Sequence, residues 1–189
     1  MQHTDPQTLY FLRHRRSHPP KTLRAPAPDR HELMNLLTLA ARVPDHGKLE
    51  PWRFVVLERA ALDRLAPVLA DAVAAAGGDA AAVDKARSAF ASPLIVAVVF
   101  APKPGAKIPE WEQFLSAGAV CLSLVNAALA AGYGAAWLTG PAAQPDFDRA
   151  HLGLTEGERI AGLIHIGTRG DTEIPDRPRP DIDAITSFL

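Results

Sequence analysis

Two clusters of side chains in this chain have the types and spacing to do chemistry. Between Pro6 and Pro28 there is no acidic residue, while Arg13, Arg15, Arg16, Lys21 and Arg24 supply five cations, with His14 and His18 beside them. Arginine presents a planar fork that matches phosphate oxygens, and Ser17 adds a hydroxyl donor. Cations in the last turn of a helix also suit the negative end of its dipole, and a basic turn facing water has the same composition. The second cluster is the run from Arg42 to Arg53, which displays Arg42, His46, Lys48 and Arg53 on a segment stiffened by Pro44, Gly47 and Pro51. A rigid polar loop of this kind suits a ring with donors and acceptors on its edge, and His46 could equally brace the loop itself.

Other motifs fail on inspection. Gly132-Tyr-Gly134-Ala-Ala-Trp137 starts as a dinucleotide fingerprint, but Trp stands where the third glycine belongs. His31-Glu32-Leu33-Met34-Asn35 loses the second zinc ligand of a metalloprotease helix to Asn35. There is no P-loop and no G-x-S-x-G elbow. Cys121 stands alone, so it can form no internal disulfide, and its apolar surroundings read as core.

The elements that must position the two clusters follow from periodicity and punctuation. Asp5-Pro6 opens a helix carrying Leu9, Phe11 and Leu12, and Pro19-Pro20 forbids its continuation. Asp29 with Glu32 forms a capping box ahead of Leu33, Leu36, Leu37 and Ala40, and Pro44 ends that helix. Trp52 to Leu57 and Pro93 to Phe100 read as strands buried on both faces. Ala-rich helices are expected over roughly 59–76 and 79–90, with Pro67 kinking or splitting the first. Pro109 to Ala131 has the period of a long helix that is apolar nearly all round, which calls for a central place or a covering subunit. Short strands at Gly134–Leu138 and Ile160–Ile166 bracket a small helix near Asp146–Leu152. After Gly170 the chain turns polar and proline-rich, then ends in Ile182, Ile185, Phe188 and Leu189, an apolar end that needs somewhere to dock.

With these segments in place, the chain resembles the nitroreductase superfamily, in its short FMN-dependent branch. The residues that carry the likeness are Arg15-Arg16-Ser17, Ala41 to His46 with Pro51-Trp52-Arg53-Phe54, and Pro109 to Gln113 with Ser116-Ala117-Gly118. Gly134 to Gly140 and Ile164 to Thr168 complete them. The resemblance implies an α+β fold, a nitroreductase-like α/β sandwich whose central mixed sheet is flanked by helices. It implies a single FMN-binding domain over 1–189, working as a homodimer, with 170–189 docking on the partner. Carried over by position, Arg15, Arg16 and Ser17 would hold the FMN phosphate end. Arg42 and His46 would reach the flavin from the neighbouring subunit, and Trp137, Leu138 and Thr139 would lie against it. The nicotinamide would sit at Ala127, Ala128, Leu129, Ala130, Ala131 and Gly132. No catalytic side chain is implied, because a flavin carries the hydride chemistry and the protein binds, orients and tunes it. The implied activity passes a hydride from NADH or NADPH through flavin N5 to a small acceptor such as a nitroaromatic or a quinone.

Composition bounds these expectations. The 189 residues suit one ordinary domain, and 48% apolar with 22% charged residues is a globular balance. A net charge of −1 gives no global field to hold nucleic acid or an anionic membrane, so an anion site must be local. No metal site is expected. Uninterrupted apolar runs such as Leu94 to Ala101 fall short of the roughly 18 residues that span a bilayer, and a cytoplasmic protein is expected. Two other classes stay open: a flavin carrier or sensor without useful reductase activity, and an interaction module whose arginine turn binds phosphorylated ligands or nucleic acid. Alanine at Arg15 and Ser17 separates them, since only flavin binders would lose an absorbance band.

Overall fold

The structure, a computed structural model, describes residues 4–189. Helix α1 (Pro6–His14) starts as its sequence demands, with the Asp5 carboxylate accepting from the amides of Gln7 and Thr8. Helix α2 (Arg30–Ala40) carries the expected capping box, Asp29 and Glu32 each accepting from the other's amide. Between them lies a two-residue strand β1 (Leu23–Arg24), too short to leave a periodic signal. Strand β2 (Trp52–Glu58) leads into α3 (Arg59–Ala75), which runs through Pro67 without splitting, and α4 (Ala80–Ser88) follows. Strand β3 (Leu94–Phe100), α5 (Glu110–Ala130), β4 (Gly134–Leu138), α6 (Pro145–His151) and β5 (Arg159–Arg169) complete the order.

The sheet is five-stranded, β5 pairing with β1, β3 and β4 while β2 pairs with β3. Where a mixed sheet was expected, every described pairing is antiparallel. The connections of β3 show part of the reason. Two helices, not one, link β2 to β3, and the second reverses the chain again, so neighbouring strands oppose. Helix α5 alone links β3 to β4, which therefore run the same way, but β5 is inserted between them.

Apolar alternation divides the core between the two faces. Val96, Val98, Phe100, Ile164 and Ile166 meet α2 and α5 on one side. Ile95, Ala97, Val99 and Leu163 meet α3, α4 and α6 on the other. Strand β3, interior to the sheet, is buried at every residue, as its unbroken apolar run predicts. Strand β2 departs from expectation: Trp52 to Val56 are only half-buried, because β2 is the sheet's edge.

Helix α5 also differs from the sequence reading. Its 21 residues are long and apolar enough to cross a bilayer by length and composition, a property hidden by the Ser, Gly and Asn that interrupt its apolar runs. Val120, Cys121, Leu124, Val125, Ala128 and Leu129 are packed into the sheet-facing core, which makes it a core helix. Burial pushes the Cys121 thiol up to about 12. Cys121 is therefore expected to resist a disulfide-exchange reagent in the native protein and to react fully on unfolding, as thiol titration with and without denaturant would read.

One ion pair ties the edge strand inward. Arg53 Nε and Nη2 each donate over 2.7 Å to the two carboxylate oxygens of Glu158, just before β5, and Nη2 also donates to the carbonyl of Gly153 at 2.9 Å. The guanidinium fork, foremost, holds the Glu158 carboxyl down at about 2. Because the folded value lies below the unfolded one near 4.3, the stabilisation is complete above pH 4.3 and is lost as pH falls toward 2. Arg53 is about a third exposed, so Glu158→Gln should cost about 1–2 kcal/mol at pH 7. It should also flatten the acid limb, read by urea unfolding from pH 7 to pH 2.

Candidate functional site

The chain leaves α1 at Arg15, whose amide donates to the Phe11 carbonyl at 2.7 Å, and the following turn is pinned to β4 by His18 N–H donating to the Ala135 carbonyl at 2.9 Å. Gly134 permits this approach: a Cβ there would come within 2.6 Å of Leu23 Cδ2 and 3.4 Å of His18 Cβ. The result is a cavity of about 520 Å3 whose walls include Arg15, Arg16, Ser17, Trp137 and Leu138. Five of the residues singled out from sequence therefore meet in one place.

Two more cations complete the cavity, Arg177 and Arg179 from the tail. Four guanidinium groups thus face one space with a single carboxylate near them. Asp176 accepts from Arg16 at 2.6 Å and from Arg179 at 3.2 Å. Arg15 donates to Ser17 Oγ at 3.3 Å, but its Nε is buried with no partner. Burial, with Arg179 and Arg16 adding to it, lowers the Arg15 pKa below the usual guanidinium value. A site that makes a guanidinium less comfortable as a cation is relieved by an anion. The sequence reading gave the tail only a docking role and missed Arg177 and Arg179. The available signal was Asp176-Arg177-Pro178-Arg179, in which proline holds two cations on an extended chain.

A second cavity, of about 580 Å3, adjoins the first and shares Pro19, Pro20 and Leu138 with it. Its walls are mainly apolar, with Thr139, Gly140, Ala142 and Leu163 around a buried His165, and exposed Lys21, Lys85 and Ser88 at its mouth. Thr139 is thus in the combined site, reached through Leu138. Trp137 donates its indole N–H to the Ala161 carbonyl at 3.3 Å and lies over Gly162, and a Cβ added at Gly118 of α5 would stand at van der Waals distance from the indole ring.

Arg42 and His46 are elsewhere in the chain. His46 Nδ1 is 2.8 Å from Glu112 Oε2, and His46 lines a shallow cavity of about 320 Å3 with Trp111 and Leu115. Ser116 Oγ anchors the loop by donating to the Pro44 carbonyl at 2.6 Å. The loop is wound tightly, Gly47, Lys48 and Glu50 all having positive φ, and Glu50 N–H donates to Asp45 Oδ2. Arg42 is exposed. Ala127 to Gly132 form the end of α5 and the turn into β4, with Ala128 and Leu129 in the core. Arg169 takes the carbonyls of Leu129 and Tyr133 at 2.9 and 3.0 Å, so this segment's backbone is engaged within the fold. Neither cavity of the combined site includes it.

Replacing Arg177 and Arg179 together by alanine should weaken binding of inorganic phosphate by roughly tenfold or more, since a charge-assisted hydrogen bond contributes about 1.5–3 kcal/mol. Circular dichroism should stay unchanged, because neither residue belongs to a helix or strand. Isothermal titration of both proteins checks this.

Comparison with known proteins places the arrangement. Residues 12–168 match the family model described as Nitroreductase family. The Escherichia coli (strain K12) protein named "Putative NAD(P)H nitroreductase YdjA" is 38% identical over 161 residues, 85% of this chain and 87% of that protein. A Haemophilus influenzae protein named "Putative NAD(P)H nitroreductase" is 37% identical over 78% of this chain and 82% of its own. Among solved structures, a nitroreductase-like family protein from Bacillus cereus superposes with a TM-score of 0.79 at 22% identity, covering 100% of this chain and 99% of that one. A nitroreductase with bound FMN from Bacteroides fragilis NCTC 9343 gives 0.75 at 19% identity, covering 98% and 100%. The matched segment takes in the arginine turn, the whole sheet apart from the last residue of β5, and the wall contributed by β4, and the chain belongs to the nitroreductase family.

Proposed function

We propose that the protein is an FMN-dependent oxidoreductase that takes a hydride from NADH or NADPH and delivers electrons to a small acceptor such as a nitroaromatic or a quinone. The observation that carries this reading is the pairing of two cavities, one walled by four arginines with an orphaned Arg15 Nε, the other apolar and opening directly beside it. A ligand with a phosphate at one end and a planar ring at the other fits that pairing, and flavin mononucleotide is such a ligand. The name of the E. coli relative and the FMN bound in the B. fragilis protein support the choice.

When bound, FMN supplies the two-electron chemistry. The chain's own residues bind and orient. Arg15, Arg177 and Arg179 would hold the phosphate, with Ser17 donating to it, and Arg16 would share its charge between the phosphate and Asp176. Trp137, Leu138 and Thr139 would wall the passage toward the ring. Arg42 and His46 would act on the flavin of a second copy. Support for that arrangement comes from α5, whose Trp111 and Leu115 are 64% and 63% exposed although both are large and apolar. Leu122 of α5 and Leu39 of α2, whose carbonyl accepts from Ser123 of α5, are likewise large, apolar and exposed. The His46 loop lies beside Trp111 and Leu115, and Trp137 abuts α5 at Gly118, so a copy seated there would bring its own loop near this chain's cradle.

The decisive experiment is an anaerobic absorbance spectrum of the protein with FMN, before and after NADH and then NADPH. A bound flavin band that bleaches within seconds is expected. A band that binds but does not bleach would favour a carrier, and no bound flavin would overturn the reading. Replacing Leu115 by Asp should convert the dimer to monomer in sedimentation and weaken FMN retention at the same time, because the interface and the flavin site would fail together.

A further inference from the structure

The apolar cavity keeps one polar group in its floor. His165, on β5, is 2% exposed, and its Nδ1 stands 2.8 Å from the hydroxyl of Ser92, which is fully buried. Ser92 is fixed in turn, its carbonyl accepting from Arg59 Nη1 at 2.7 Å. The other ring nitrogen, Nε2, has no partner among the described residues. Burial alone, with no charged neighbour contributing, pulls His165 down to about 4, so the ring is neutral in ordinary buffers. A neutral imidazole has one N–H; the Ser92 hydroxyl has no other acceptor among the described residues, so it donates to Nδ1, and the ring hydrogen then stands on Nε2. Lys21 and Lys85 stand exposed at the mouth, and neither forms an ion pair among the described residues. With no protein partner, the Nε2–H is free to donate to a ligand acceptor in the cavity that His165 lines.

Resting on the flavin reading above, we propose that His165, held by Ser92, is a positioning residue for the flavin ring: its Nε2–H donates to an acceptor atom on the ring's polar edge, at the floor of the cavity whose mouth carries Lys21 and Lys85. The ligand class follows from the walls. Apolar side chains accept a flat ring, the buried donor selects a ring with an acceptor on its edge, and the shared Pro19, Pro20 and Leu138 let such a ring be continuous with a phosphate in the arginine cradle. Reduction adds electron density to that polar edge, so a fixed donor beneath it and two cations at the mouth favour the reduced form.

The test uses the imidazole as its own reporter. Among the histidine signals in a proton–nitrogen spectrum, the His165 ring is the one that disappears in His165→Phe. Adding FMN should shift its Nε2 resonance, whereas saturating inorganic phosphate, which fills only the arginine cradle, should leave it in place. His165→Phe should still bind FMN but lower the ratio of affinities for reduced and oxidised flavin about tenfold, about 30 mV for a two-electron couple. His165→Gln, which keeps a donor, should recover part of that loss. FMN bound with the His165 signal unmoved in the unmutated protein, or a potential unchanged in His165→Phe, would overturn the inference while leaving the flavin reading intact. Failure of the unmutated protein to bind FMN would overturn both.

Discussion

Strand β5 is the constraint on which the other parts depend, because its 11 residues pair with β3 along one edge and with β4 along the other. Its pleat then decides what each face receives. Ile164 and Ile166 go to the core under α5, while Leu163 and His165 go to the opposite side, where the apolar cavity opens. At Gly162 there is no side chain, and Trp137 crosses from β4 into that gap. At the end of the strand Arg169 turns back to cap the carbonyls that close α5. A register slip of one residue would exchange the two faces and dismantle core, cavity and cap together.

The cation cradle obeys a different logic, one of charge left uncancelled. With a net charge of −1 the protein has enough acidic groups to neutralise every arginine, yet among the described residues only Asp176 pairs with any of the four that share the cavity. Elsewhere opposite charges are matched closely, as in Arg53 with Glu158 and Arg159 with Glu110. Self-repulsion among fixed guanidiniums destabilises a fold slightly, and its concentration in one concavity is what makes an anion welcome there.

Much of this was legible in the sequence wherever one segment spoke for itself. Capping residues marked α1 and α2, proline marked their ends, and β4 was bounded correctly at Gly134 and Leu138. The arginine turn and Trp137-Leu138-Thr139 could be named because each is a contiguous run. What stayed hidden depends on distant segments meeting. Half-burial of β2 follows from its place at the sheet's edge, which no local pattern encodes. Antiparallel pairing throughout depends on which distant strands meet, with β5 taking β1, β3 and β4 as neighbours. Ser92 and His165 are 73 residues apart, so no spacing could have joined them. Arg177 and Arg179 were overlooked for a related reason: proline-rich polar composition describes how a tail behaves alone, and says nothing about the surface it crosses.

The position of those two arginines separates folding from binding along the chain. A polypeptide ending at Gly170 would keep all five strands and all six helices, and with them both halves of the core. It would lack half of the guanidinium groups that face the anion cavity. Proteolytic trimming of the exposed tail would therefore strip two of the four guanidinium groups from the cavity while leaving every strand and α-helix in the chain. On the flavin reading, foldedness alone would then be a poor guide to phosphate binding, and the presence of residues 171–189 the better one.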